Sequence, residues 1–394
     1  MQEPSAVRSV YPKLAIIVSA QLLGTSLWFS ANAAFDDLAH AWGLEGADLG
    51  VLTIAVQLGF IVGTLLFALS GIADRYAASR VFATCAVIGA VANLAFAYIA
   101  ADIAQATVAR FVTGFALAGV YPLGMKLVVS WEPNRASEAL AWLVGMLTIG
   151  TALPHGIRAI GGAGSWQTIA SVSSALALMA AVAIFALGDG PHLPRGKGRL
   201  QWGATLVVAR IPEFRSAALG YFGHMWELYA FWTITPFLVA IALASRSPSP
   251  STIALWSFAI IASGGLGCIV GGYFSRRHGS ARVAAFALAG SAMAGAVFPS
   301  VAAHSWLALP VLLAWGITVV ADSPQFSALS ARAAPPHLVG SALAIQNSIG
   351  FGITIISIDM ATAWISSIGA HSAWLLVPGP VLGLVALAPL LRGR

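Results

Sequence analysis

Charge is scarce in this chain. Only 9% of its 394 residues are Asp, Glu, Lys or Arg, while 59% are hydrophobic, and mean hydropathy is +0.86. That balance excludes an ordinary soluble domain, where charged residues make up about a quarter of the chain. Cysteine is nearly absent. Cys85 and Cys268 both fall inside apolar runs, so no disulfide framework is implied. No Cys/His spacing suits a metal, and no phosphate loop ending in Lys-Ser or Lys-Thr precedes an apolar run. Neither a metal centre, a bound cofactor nor direct ATP hydrolysis is therefore expected. No nucleophile–base constellation stands out, which argues against an enzyme. Long hydrophilic stretches are missing too, leaving no room for an attached soluble domain.

What the chain has instead is apolar runs of roughly 20 residues or more, the length that crosses a bilayer as a helix. Twelve are expected, near 12–36, 47–72, 79–101, 104–130, 136–160, 166–187, 215–243, 252–275, 282–303, 305–329, 338–364 and 370–391. The first is too long for a signal-peptide core and lacks a small-residue cleavage site, so it stays as a helix.

The formal net charge of +6 raises nucleic acid as a partner, but the placement of the charges points to membrane topology. With the N-terminus in the cytoplasm, Arg246 is the one basic residue in an external loop, and Arg110, Lys126 and Arg158 lie within helices. The remaining Lys and Arg face the cytoplasm. External segments hold Asp36, Asp37, Glu45, Asp48 and Asp102. This positive-inside pattern predicts an inner-membrane protein with both termini cytoplasmic and no nucleic-acid partner.

One polar pattern occurs twice. Asp74-Arg75-Tyr76-Ala77-Ala78-Ser79-Arg80-Val81 corresponds to Arg276-Arg277-His278-Gly279-Ser280-Ala281-Arg282-Val283, 202 residues later. The same offset aligns Gly63 with Gly265, Gly114 with Gly316, Pro122 with Pro324 and Gly150 with Gly352. A duplicated membrane half is a mark of secondary transporters, in which the two copies rock about a site between them. The longest hydrophilic interruption, from Gly188 to about Arg215, divides six runs from six. It predicts bundles at 1–188 and 215–394 joined by a cytoplasmic linker at 189–214, whose basic residues sit near anionic headgroups.

The segment Ser70-Gly71-Ile72-Ala73-Asp74-Arg75-Tyr76-Ala77-Ala78-Ser79-Arg80 and the later Arg110-Phe111-Val112-Thr113-Gly114 sit at the second–third helix loop and in the fourth helix. With twelve helices and a central linker, they resemble the major facilitator superfamily. Its loop between helices 2 and 3 commonly reads Gly-x-Leu-Ala-Asp-Arg-x-Gly-Arg-Lys, of which this chain keeps Ala-Asp-Arg and a basic end. Helix 4 is similar to the family's Arg-x-x-x-Gly pattern. Gly150-Thr151-Ala152-Leu153-Pro154 departs from the Gly-Pro motif of family antiporters, because Leu153 replaces the glycine before proline. The resemblance implies an all-α membrane fold of two pseudo-symmetric six-helix bundles. It implies alternating access controlled by loops carrying Asp74, Arg75, Arg80, Arg276, Arg277 and Arg282. It also implies a central cavity lined by helices 1, 4, 7 and 10.

Charged side chains near the bilayer centre cost about 2.5–3.5 kcal/mol each on insertion scales, which makes them the first candidates for function. Glu227 is central in helix 7 and Asp322 in helix 10. His224 precedes Glu227 by three residues, so both share a helix face, and an imidazole beside a carboxylate can take up and release a proton. These three are the proton-coupling candidates. The bland alternative is that Glu227 pairs with Arg110 and fixes packing. Pro324 removes a backbone donor and predicts a kink beside Asp322 and Gln325. Gln21, Thr25, Trp28 and Asn32 recur at steps of four, three and four, giving helix 1 a partly polar stripe. Together with Arg110, Tyr121, Trp226, Tyr229 and Gln325, Gln21, Trp28 and Asn32 form the expected solute site. Single aromatics are more often packing than ligand contacts.

The leading expectation is a monomeric secondary transporter of a small polar or charged organic solute, coupled to protons as the driving ion. A proton-driven multidrug exporter is the first alternative, and a receptor or scaffold that moves no solute is another.

Overall fold

The computed structural model describes residues 4–133, 136–161, 165–193 and 207–392, with side chains at 4–11, 73–74 and 136–137 excepted. Residues 194–206 of the expected linker and the side chain of Asp74 therefore lie outside the described residues. The described chain is helical, and no strand occurs in it. In a hydrocarbon environment this follows from the backbone, whose N–H and C=O groups must be satisfied within the segment.

In chain order the helices are α1 (Pro4–Thr25), α2 (Ser30–Ala33), α3 (Phe35–Trp42), α4 (Gly46–Ser70), α5 (Ile72–Arg75), α6 (Ala78–Tyr98), α7 (Ile103–Leu117), α8 (Tyr121–Trp131), α9 (Ala136–Gly161) and α10 (Trp166–Leu187). The second half contains α11 (Pro212–Ala242), α12 (Pro250–His278), α13 (Ser280–Val301), α14 (Ser305–Ala321), α15 (Ser323–Ala333), α16 (Val339–Ile368) and α17 (Pro378–Arg392). Ten described segments are long and apolar enough to cross a membrane, and the last of them, Val339–Arg392, contains both α16 and α17. With α1, whose described apolar part is Pro12–Thr25, these make the twelve expected spans.

Helix ends carry the residues that satisfy orphan donors. Asp102 accepts from the Gln105 amide at 2.8 Å to open α7, and Ser249 accepts from the Thr252 amide at 3.2 Å to open α12. Glu45 and Asp48 form a reciprocal capping box on α4. At the linker's start, Asp189 accepts from the amides of Ala78 and Ser79 at 3.2 and 2.7 Å. That carboxylate holds the first turn of α6.

Three of the expected spans are not continuous. The first breaks after Thr25 and resumes as the short α2, where the sequence has no proline to announce it. The fourth divides into α7 and α8 just before Pro122, and the tenth into α14 and α15 just before Pro324. Proline lacks the amide needed to bond the preceding turn, so both breaks have the same cause. They sit at duplicated positions. The last span starts at Pro378 rather than 370, because Gly369–Leu375 forms a tighter 3-10 turn.

Packing between helices relies on small residues, as membrane interfaces do. A Cβ on Gly114 would overlap the Val56 carbonyl of α4, and one on the duplicated Gly316 would overlap the Ile260 carbonyl of α12. The two halves meet most extensively along α9 and α12, with α4 and α16 forming a second contact across the interface.

Candidate functional site

The break in the first span places Trp28 and Phe29 at the contact between halves. Trp28 packs against Phe60 of α4, Tyr229 of α11 and Phe351 of α16, with ring centroids 5.1, 5.5 and 5.9 Å apart. Phe60 and Phe351 close the group at 4.4 Å, and Phe29 adds contacts to Tyr229 and Trp232. Such offset and tilted rings each add roughly 0.5–1.5 kcal/mol beyond their buried area. The cluster joins the two halves.

Two amide side chains lie on helices that carry the cluster, Gln57 on α4 with Phe60 and Gln346 on α16 with Phe351, while Gln21 lies on α1 against Gly124 of α8. Trp28 Nε1 donates to Gln57 Oε1 at 3.3 Å, leaving Gln57 Nε2 without a partner. Both polar atoms of Gln21 and the Oε1 of Gln346 are likewise buried without partners. Burying an unpaired amide costs on the order of 1–3 kcal/mol, so each of these atoms is left open to a further partner. Asn32 is committed, with its Nδ2 donating to Thr53 Oγ1 at 2.9 Å.

Arg110 is fully buried, and its guanidinium does not reach Glu227. It donates instead to Leu27 O at 2.9 Å, Trp28 O at 2.6 Å, Ser30 Oγ at 3.1 Å and Asn93 Oδ1 at 2.8 Å. Two of its four acceptors are carbonyls freed by the break between α1 and α2, so the arginine holds that break in place. No carboxylate pairs with it among the described residues, and its charge remains uncompensated by an ion pair. Arg158, by contrast, pairs with Asp37 at 2.8 Å and bonds the Ala33 carbonyl at 3.0 Å. This pair tethers α3 to α9. Asn32, Asp36, His155, Arg158, Pro236 and Phe237 border a crevice of only about 20 Å³ at that end.

Among the three proton-coupling candidates, the partnership differs from the one expected from spacing. His224 Nδ1 lies 2.8 Å from Asp322 Oδ1, with both side chains almost fully buried. Glu227 instead accepts a hydrogen bond from Trp315 Nε1 at 2.7 Å, and Trp315 stacks on Phe231 at 4.5 Å. A three-residue step puts His224 and Glu227 on one broad face. Each then meets a different part of the tenth span, α14 for Glu227 and the α14–α15 junction for His224. Asp322 sits at that junction, where its carbonyl accepts from the amides of Gln325 and Phe326 at 2.9 Å each. Gln325 is buried beside it.

The remaining candidates divide. Tyr229 lies in the aromatic cluster, and Tyr121 is half-buried at the start of α8. Trp226 turns away from that cluster, donating to Leu375 O at 2.9 Å and packing on Gly379 of the last span. Of the loop residues, Arg276 meets Glu138 of α9 at 3.0 Å, a contact between halves, while Arg75, Arg80 and Arg282 are exposed or half-exposed. Arg276 and Arg277 also lie over the ring of Tyr273, at 5.2 and 5.7 Å. Sequence reasoning missed Gln57, Phe60, Trp315, Gln346 and Phe351. Each sits in an apolar run, and the only available signal was a lone amide or aromatic among core residues.

Comparison with known proteins adds the family. The profile of the Major Facilitator Superfamily matches residues 17–391, nearly the entire chain. The chain belongs to this superfamily. Its fold agrees. The xylose transporter XylE from E. coli, in a partially occluded inward-open conformation, superposes with a TM-score of 0.75 at 12% identity, covering 98% of this chain and 99% of that one. A variant of the nucleoside transporter NupG superposes with a TM-score of 0.71 at 13% identity, covering 96% and 99%. Among curated proteins, the 4-hydroxybenzoate transporter PcaK of Pseudomonas aeruginosa is 29% identical over 103 residues, 26% of this chain. The niacin transporter NiaP of Acinetobacter baylyi is 32% identical over 128 residues, 30% of this chain. The matched segments span 22% and 28% of those two relatives. Members of this superfamily fold as multi-pass membrane proteins, in keeping with the apolar helices described above.

Proposed function

We propose that this chain is a secondary active transporter that moves a small organic solute by alternating access, driven by coupled proton movement. The bundles at 1–188 and 215–394 are the two moving parts, joined by the linker at 189–214. In this reading the protein works as a monomer in the inner membrane with both termini cytoplasmic. The observation that carries the reading is the junction of the halves at Trp28, Phe60, Tyr229 and Phe351, with the unpartnered amides of Gln57 and Gln346 on the same helices. A planar solute entering there exchanges ring–ring contacts for ring–solute contacts and satisfies amide groups that are otherwise buried unpaired. Aromatic carboxylates such as 4-hydroxybenzoate and nicotinate are the first solutes to test. The planar ring suits the aromatic walls, and the uncompensated charge of Arg110, one carbonyl removed from Trp28, favours an anion. The partial matches to transporters of those two compounds support the same choice.

Coupling is assigned to His224 and Asp322, with Glu227 as the second carboxylate. A proton taken up by the Asp322 carboxylate removes its negative charge and weakens any attraction across the 2.8 Å contact between α11 and the break in the tenth span. The segment α15 is then free to reorient relative to α14. The test is uptake into proteoliposomes across an imposed pH gradient. Saturable accumulation of an aromatic carboxylate supports the reading. Saturable binding without flux replaces it with a receptor, and competition among chemically unrelated compounds with net efflux replaces it with a multidrug exporter.

A further inference from the structure

Two adjoining cavities outside the solute site share a pair of residues. At the membrane end bearing the loop at 276–282, a cavity of about 350 Å³ lies among the ends of α11, α12, α13, α15 and α17. Its polar walls are Arg282, Arg332, His278, Ser280 and one carboxylate, Glu213. Beside it, a groove of about 490 Å³ runs up the outer face of α12, α13 and α14. Val270, Phe274, Phe286 and Ile317 make that groove apolar, and His278 and Arg282 close it at the cavity end.

The arginines in the cavity are left unengaged among the described residues. Arg276 and Arg277 are engaged with Tyr273, and Arg276 with Glu138. Neither Arg282 nor Arg332 has a hydrogen-bond or ion-pair partner among the described residues. Two guanidinium groups against one carboxylate leave a net positive wall. The first turn of α13, a 22-residue helix, opens onto the same space without a side-chain cap, adding amide donors and the positive end of the helix dipole. A positive cavity continuous with a long apolar groove matches an amphiphile with an anionic head. It does not match a free small anion, which would leave the groove unused.

We propose that this surface binds an anionic phospholipid whose headgroup bears a hydroxyl, such as phosphatidylglycerol. The phosphodiester sits between Arg282 and Arg332, the headgroup hydroxyl donates to Glu213, and an acyl chain fills the groove along Val270 and Phe286. In the topology proposed above, this is the cytoplasmic leaflet, where anionic lipid attracts basic residues. The site is six residues along the chain from Arg276, which contacts the other half, so an occupied site steadies the loop that carries that contact.

The test is native mass spectrometry of the full chain released from nanodiscs containing equal phosphatidylglycerol and phosphatidylcholine, and it requires no knowledge of the transported solute. The wild type should retain phosphatidylglycerol preferentially. The pair Arg282→Ala and Arg332→Ala should lower that preference about tenfold, while Arg282→Lys with Arg332→Lys should keep most of it. Val270→Trp, which fills the groove, should reduce retention of phosphatidylglycerol with the arginines intact. Monodisperse elution establishes that each variant is folded, and the lysine and tryptophan variants carry the test if the alanine pair is not. Equal retention of the two lipids by the wild type would overturn the proposal. So would an unchanged preference in the folded alanine pair, or in Val270→Trp. Displacement of the lipid by inorganic phosphate at matching concentration would also overturn it, assigning the cavity to a free anion.

Discussion

His224 and Asp322 face each other across 2.8 Å, buried at the point where the tenth span is interrupted before Pro324. A titratable pair is thus placed at the joint between two helical segments, and the joint is the part of that span able to bend. The first expected outcome concerns this pair. Asp322→Asn should abolish accumulation driven by a pH gradient while leaving solute counterflow, which needs no net proton movement. His224→Gln should weaken coupling in the same assay. Glu227→Gln should retain the hydrogen bond from Trp315 and alter flux less than Asp322→Asn does.

Arg110 should matter mainly for stability. Its guanidinium satisfies two carbonyls and two side chains around the break in the first span. Arg110→Ala leaves these acceptors buried, at a cost of about 2–4 kcal/mol if one or two remain unsatisfied. Lysine restores the charge but lacks the planar fork, so Arg110→Lys should be only partly rescued. Thermal unfolding of the purified protein in detergent measures both, and a wild-type midpoint for Arg110→Ala would contradict this account.

The duplicated glycines Gly150 and Gly352 should respond in opposite ways. A Cβ on Gly150 would overlap the Leu22 carbonyl, whereas one on Gly352 meets nothing within 4 Å. Gly150→Ala should push α9 away from α1 and lower the unfolding midpoint, by roughly 1–3 kcal/mol of stability. Gly352→Ala should be neutral or raise it slightly, since alanine is favoured over glycine in a helix by about 1 kcal/mol or less.

The contact between Arg276 and Glu138 at 3.0 Å is half-exposed, and pairs of that kind contribute about 0–1 kcal/mol. Reversing one charge should therefore shift the balance between conformations by a few-fold without unfolding the protein. Exchanging both residues should bring it back. Accessibility of a single cysteine introduced near this end reads the shift, and identical labelling in all three variants would remove the contact from gating.

Trp28→Ala should raise KM for an aromatic solute more than it lowers kcat, because it removes a wall and frees Gln57 without touching the titratable pair. Trp28→Phe should retain most of the stacking. A kcat defect without a KM change would place Trp28 in the conformational step instead.

The spans were legible from sequence because length and apolarity alone define them, and the duplicated loops and prolines revealed the repeat. Pro324 also marked one of the three breaks, while Pro122 stood out only as its counterpart in the repeat. The break after Thr25 was not legible, since no residue there forbids a helix and the carbonyls of Leu27 and Trp28 are captured by Arg110, 82 or more residues away. Spacing could place His224 and Glu227 on one face but could not say that the tenth span offers them different partners. Phe60, Phe351, Gln57 and Gln346 stayed hidden because an apolar run does not show which of its faces meets the other half.

The most direct measurement is the internal pH of proteoliposomes, followed with a trapped dye as 4-hydroxybenzoate or nicotinate is added outside. Wild-type protein should give a solute-dependent pH change. Asp322→Asn should give none while still exchanging labelled solute in counterflow. An undiminished pH change in Asp322→Asn, or solute flux in the wild type with no pH change at all, would contradict coupling through the His224–Asp322 pair.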